Sequence, residues 1–284
     1  MPAQQPSAER AGPFTARRGT AAGLNLEQVA EAMGEKWDNS KLSRIENAKA
    51  RISAADVARI LHICGVEDPR TIAAMEALAR DAGKTGWWAN YTAAPYCLQD
   101  LISAQSDAES IRQYQPNVIP GLLQTGAYAR EITAATAFHR PPDEYASIAE
   151  LRMVRQNILT RPGSPVAYWA VINESLLHQR FVSHPSLMRE QLRHLLDMSE
   201  LPNITIQVMP LTAGAHPGAS GTFSITQFPQ PWPSFVTIEH RVQTQYVENR
   251  EEVRNFENAF DRIRAAALAD DQSRETIRTI MEGH

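Results

Sequence analysis

The chain has 284 residues, 43% of them hydrophobic and 21% charged, with a formal net charge of -4. That balance excludes a collagen-like, low-complexity or wholly disordered protein. The length points to two domains, because single hydrophobic cores stop growing beyond roughly 250–300 residues. No run approaches the roughly 20 apolar residues of a membrane span, and MPAQQPSAERAGPFTARR lacks the apolar centre of a signal peptide, so a cytoplasmic location without a membrane partner is expected. Cys64 and Cys97 form no CxxC pair, and no His stands at zinc-finger spacing. They read as core thiols, with no metal and no cofactor expected. Over residues 1–60, nine Lys and Arg stand against seven Asp and Glu, a local charge of +2. Such a margin permits a DNA-binding face only if the basic residues cluster.

Residues 1–12 carry no periodicity and read as a flexible arm. Short helical segments follow at about 14–22, 26–33, 39–48, 53–63 and 69–82, a compact all-α bundle over 13–82. The second has Asn25 as N-cap, Gln28 as its capping-box partner and Leu26, Val29, Ala30 and Met33 on one face, and Gly34 ends it. The third turns Leu42 and Ile45 inward and leaves Ser40, Lys41, Ser43, Arg44 and Asn47 outside, with Asp38 or Asn39 as cap. The fourth starts at Ser53, buries Val57, Ile60 and Leu61, and closes at Gly65.

An aromatic cluster, GWWANYTAAPY, marks a boundary near residue 83. Beyond it the spacing predicts helices over 104–114, 124–137 and 142–160, the last started by Pro141-Pro142. Strands are expected at Val166–Ile172, Ile204–Met209, Thr222–Phe228, Phe235–Glu239 and Thr244–Glu248, with helices near 185–200, 249–269 and 271–281. The expected fold class is α+β: an all-α helix-turn-helix bundle, then an α+β sensing or dimerisation domain over 83–284 with a mainly antiparallel, helix-covered sheet. The helix between the first two strands allows one crossover connection.

In a helix-turn-helix the second helix enters the major groove, its first residues reaching base edges while neighbours grip phosphate. LNLEQVAEAMGEKWDNSKLSRIENAKARIS has that layout. Asn39, Ser40, Lys41, Ser43, Arg44 and Lys49 are the candidate DNA contacts: Arg44 for guanine, Asn39 for adenine or phosphate, Lys41 or Lys49 for phosphates. A solvated amphipathic helix in an ordinary bundle carries the same residue types.

The runs Gly23-Leu24-Asn25-Leu26-Glu27-Gln28-Val29-Ala30 and Ser40-Lys41-Leu42-Ser43-Arg44-Ile45-Glu46-Asn47 resemble the helix-turn-helix of Xre/Cro-like repressors. Gly86-Trp87-Trp88, the run from Tyr114 to Thr125 (YQPNVIPGLLQT), Arg189-Glu190-Gln191-Leu192 and Ala213-Gly214-Ala215-His216 resemble actinobacterial regulators that fuse such a head to a C-terminal domain of poorly characterised function. That resemblance implies a homodimeric regulator of development or secondary metabolism that binds double-stranded DNA, often with a small protein encoded nearby. Two departures stand out. PFTARRGTAAG offers few large apolar residues and a mid-helix Gly19, and Glu35-Lys36 makes the turn about two residues longer than usual.

In the C-terminal region, the loop from Leu211 to Gly221 either folds over a ligand or connects a wide hairpin; it lacks GK[ST] and G-x-S-x-G. Trp87, Trp88 and Tyr91 are candidates for a pocket wall or for core filling, and His216 for a ligand contact or a plain loop histidine. Arg152 and Arg155 are candidates for an anion or a partner carboxylate, with local pairing to Glu150 the simpler account. No residue set at motif spacing supports catalysis. The rival readings are an enzyme or metabolite-binding protein on a repurposed regulator scaffold, and a protein-interaction adaptor.

Overall fold

The computed structural model describes residues 24–46, 50, 52–81, 101–102, 105–136, 141–182, 184–239 and 244–284. They divide into two compact units, the first holding residues up to 81 with Leu101 and Ile102, the second holding residues from Gln105 onward.

In the first unit, α1 (Leu26–Met33), α2 (Asn39–Glu46), α3 (Ala54–Ile63) and α4 (Pro69–Asp81) follow the expected order. The capping box forms: Asn25 Oδ1 accepts from Gln28 N at 2.9 Å, and Gln28 Oε1 accepts from Asn25 N at 2.8 Å. Ser53 Oγ caps α3 by accepting from Asp56 N. At the other end of α3, Gly65 with φ +74° lets its own N–H reach His62 O and that of Val66 reach Leu61 O, so the last carbonyls are satisfied. Val29, Ala30, Met33, Leu42, Ile60 and Cys64 form one core with Trp37 and Ile52 packed against it. Val57 and Leu61 are wholly buried, each contributing about 1.5–3 kcal/mol from lost apolar exposure. The expected segment at 14–22, with Gly19, lies outside the described residues.

The second unit is built on a six-stranded sheet in the order β3-β2-β1-β4-β5-β6. Its strands are β1 (Ser110–Gln115), β2 (Ala167–Asn173), β3 (Ile204–Met209), β4 (Phe223–Gln227), β5 (Phe235–Glu239) and β6 (Thr244–Val247). Three of the five pairings are antiparallel, while β1–β2 and β2–β3 are parallel. Parallel neighbours require crossovers. Helices α5 (Gly126–Thr136) and α6 (Pro142–Arg155) lie in the first crossover and α7 (Leu187–Ser199) in the second; α8 (Arg250–Ala266) and α9 (Asp270–Glu282) close the chain. The α+β class therefore holds, with a mostly antiparallel sheet.

The expected helix over 104–114 is corrected: the second half of that segment is β1, the strand at the centre of the sheet. Its sequence, SIRQYQ, hides the strand because polar side chains are paired on both faces. Arg112 donates to Glu257 Oε1 of α8 at 2.9 Å, and Gln113 accepts from the Tyr168 hydroxyl at 2.8 Å. The helix expected over 142–160 ends at Arg155 and tightens into a 3-10 turn over Gln156–Leu159. On the face covered by α8, Val171, Ile225, Val236, Val253, Phe260 and Ile263 form an apolar core.

Candidate nucleic-acid interface and C-terminal site

The two helices of the candidate DNA-binding motif are joined by five residues, Gly34–Asp38. A 3–4-residue turn is usual for this motif, so Glu35-Lys36 lengthens it as the sequence suggests. Gly34 takes φ +96°, Trp37 N donates to Gly34 O at 2.9 Å, and the Trp37 ring packs into the helical core. The longer turn is thereby anchored by burying its own aromatic residue. Arg59 of α3 adds a support absent from the sequence reading: Nη2 donates to Met33 O at 3.1 Å, placing a cation on the C-terminal carbonyls of α1.

On α2, Leu42 and Ile45 are buried, while Asn39, Ser40 and Arg44 are exposed and Lys41 and Ser43 half-buried. Asp38, not Asn39, is the cap, with Oδ1 accepting from Lys41 N at 2.6 Å. Asn39 is therefore the first helical residue. The Lys41 ammonium lies 3.9 Å from the Trp37 ring centroid and donates to Lys36 O at 3.3 Å, so that cation is tied to the turn. Lys49 lies outside the described residues. Arg44 is the exposed cation left on the helix among the sequence candidates, and the helix start carries a carboxylate where phosphate would otherwise be favoured.

In the C-terminal unit, the run Ile119–Thr125 is an internal loop whose polar backbone is satisfied by side-chain amides. Gln124 Nε2 donates to Ile119 O, Gln156 Nε2 to both Gly121 O and Gln124 O, and Gln191 Nε2 to Leu123 O, while Gln191 Oε1 accepts from Thr125 N. The Tyr128 hydroxyl accepts from Ile119 N, and burial pushes its pKa up to about 12. No periodicity betrays this function, because Gln156 and Gln191 act on backbone far away in sequence.

His216 is part of the loop's own construction. Its Nδ1 accepts from Gly218 N at 3.1 Å, and its ring stands edge-on to Tyr114 with centroids 5.9 Å apart. Gly218 sits so close to Tyr114 that a Cβ there would meet Cζ at 2.5 Å. The glycine-rich segment thus folds as a 3-10 turn, Pro217–Ser220, packed beside α8. Trp87, Trp88 and Tyr91 lie outside the described residues.

Arg152 and Arg155 occupy one face of the last turn of α6, and Glu150 is exposed on another. Arg155 is 7% exposed, with Nη1 3.8 Å from where a Gly121 Cβ would stand. Desolvation pulls the pKa of both guanidinia down, and Glu239 opposes that shift. Among the described residues, Arg155 Nε has no hydrogen-bond partner.

Comparison with known protein families places a domain of unknown function, DUF5753, over residues 98–279 and a helix-turn-helix domain over residues 14–75. The chain belongs to the DUF5753 family. The helix-turn-helix match at its N-terminus supports a DNA-binding regulator. No curated protein and no solved structure matches the chain. Among the described residues no helix is long and apolar enough to cross a membrane, and no group of three or more His, Cys, Asp and Glu is placed to hold a metal ion.

Proposed function

We propose that this protein is a sequence-specific transcriptional regulator of the Xre/Cro-like, actinobacterial type. Its DNA-binding domain spans residues 13–82, and residues 83–284 serve dimerisation and the binding of a small effector or a small protein encoded nearby. It acts in the cytoplasm, in development or secondary metabolism. The observation that carries the DNA reading is the exposure of Asn39, Ser40 and Arg44 on one side of α2, opposite the buried Leu42 and Ile45, within the region matched as a helix-turn-helix. As a homodimer it would set two α2 helices about one helical turn apart on a near-palindromic site. In this reading Arg44 and Asn39 read bases, while Lys41, Ser43 and Lys49 contribute backbone contacts or positioning.

The test is binding of the full chain to genomic DNA fragments across a salt series, with Arg44→Ala and Lys41→Ala beside the wild type. Preferred fragments bind with an affinity that falls steeply with salt, and Arg44→Ala removes the preference, at a loss of about 1–3 kcal/mol. No preferred fragment at moderate salt overturns the proposal. One observation favours a protein-interaction adaptor instead: from Gly34 to Glu46, Lys36, Lys41 and Arg44 are balanced by Glu35, Asp38 and Glu46. An adaptor retains a protein partner in pull-down and shows no fragment preference.

A further inference from the structure

The two faces of the C-terminal sheet differ in a way that the fold does not require. Strand alternation places Val171, Ile225 and Val236 on the face under α8, where they join its apolar core. The same alternation and the strand register place Gln113, Ser224, Thr226 and Thr237 on the opposite face of three adjacent strands, β1, β4 and β5, where the buried Ile111 and Phe235 flank Thr226. All four are at least 95% buried. Tyr168 belongs to this face, where its hydroxyl bonds Gln113, and Ser224 and Thr237 bond each other through their hydroxyls at 2.6 Å.

A sheet face that only packs against helices is expected to be apolar, and buried polar atoms are expected to be paired. Here they are not all paired. Among the described residues, Thr226 Oγ1 is fully buried without a hydrogen-bond partner, and so is Arg155 Nε. Arg155 lies within electrostatic reach of Tyr168, Glu239 and Tyr246 of this face and of its neighbour Arg152. Among the described residues, the carboxylate that acts on both guanidinia is Glu239, which is itself exposed at the end of β5. Ordered water would satisfy the hydroxyls, whereas the buried Arg155 guanidinium calls for an anion. The backbone beside Arg155, at Gly121, is held in place by Gln156 and Gln191 acting on the surrounding carbonyls, so the site rests on a braced frame.

We propose that this polar face of the C-terminal sheet binds a small organic oxyanion. The ligand's carboxylate or phosphate pairs with Arg155 and Arg152, and its hydroxyl or carbonyl groups bond Thr226 and the neighbouring polar side chains. A planar guanidinium with free donors suits either oxyanion, because both offer two oxygens at matching spacing. The assignment deepens the effector-binding part of the proposed function, and it does not rest on DNA binding.

The test uses the full chain without DNA. Thermal melting and calorimetric titration are run with inorganic phosphate, glycerol 3-phosphate, succinate and malate as sodium salts, against sodium chloride of equal ionic strength. At least one of these raises Tm by several degrees at saturating concentration, and the phosphate and carboxylate arms identify which oxyanion is preferred. Arg155→Gln weakens that binding about a hundredfold. Thr226→Val, which keeps the side-chain shape, weakens it about tenfold, yet leaves the ligand-free Tm equal or higher because an unpaired buried hydroxyl is removed. Should Arg155→Gln fail to fold, Thr226→Val decides alone. No salt exceeding the chloride control, or a response unchanged in Thr226→Val, overturns the proposal. Loss of DNA binding with the anion response intact would instead sink only the regulator reading.

Discussion

Asp38→Asn isolates the electrostatic character of the candidate reading helix. The Asp38 carboxylate accepts from Lys41 N at 2.6 Å and is exposed at the helix start, where a phosphate would approach. Asparagine caps about as well as aspartate, so the hydrogen bond is kept and the charge alone is lost. Its favourable interaction with the helix dipole goes with it, at a cost to folding of about 0.3–1 kcal/mol. A carboxylate about 6 Å from a phosphate repels it by about 0.7 kcal/mol in water, so removing it strengthens binding about threefold at low salt. Screening shrinks that gain as ionic strength rises past about 0.15 M, where the Debye length is about 8 Å. Fluorescence anisotropy on a preferred DNA fragment, from low to high salt, measures both the gain and its decay; calorimetry measures the small stability loss. Unchanged or weaker binding at low salt, or a gain that persists undiminished at high salt, would refute placing Asp38 beside the DNA backbone.

Gln191→Ala leaves the Leu123 carbonyl and the Thr125 N–H without their partners, destabilising the C-terminal unit by about 2–4 kcal/mol; calorimetry should show its transition falling by roughly 5–15 °C, and a fall under 2 °C would contradict the bracing role. Asp68 starts α4, where the Thr71 hydroxyl, the Arg70 N–H and the Thr71 N–H donate to it and hold its pKa below the usual 3.8. A lowered folded pKa means stability present above the unfolded value and lost as pH falls through the folded one. Asp68→Asn should therefore be less stable than wild type at neutral pH, with the difference closing below about pH 3.8 in acid titration followed by circular dichroism.

The helical head was largely legible in the sequence because its signals are local. Asn25 with Gln28, Ser53, and Gly34 and Gly65 each act within a few residues, and the spacing of Val29, Met33, Leu42 and Ile45 marks the buried side. Strands β2 to β6 were legible for the same reason, being short β-rich runs bounded by Pro, Gly and Asn. So were Arg152 and Arg155 as a charged pair on one helix, but not what surrounds them. Strand β1 was not legible, because Arg112 and Gln113 are made tolerable inside the sheet by Glu257 and Tyr168, far along the chain. The role of YQPNVIPGLLQT was hidden likewise, since Gln156 and Gln191 complete its backbone hydrogen bonds from two separate helical segments. The tying of Lys41 to Trp37 also depends on the conformation of the turn between the two helices. Sequence alone therefore determined the helices of the head with their capping and strands β2 to β6, whose signals lie within a few residues of each other. The tertiary structure decided the parallel half of the sheet, the bracing of the internal loop and the gathering of polar side chains near Arg155, because each needs partners that only folding brings together.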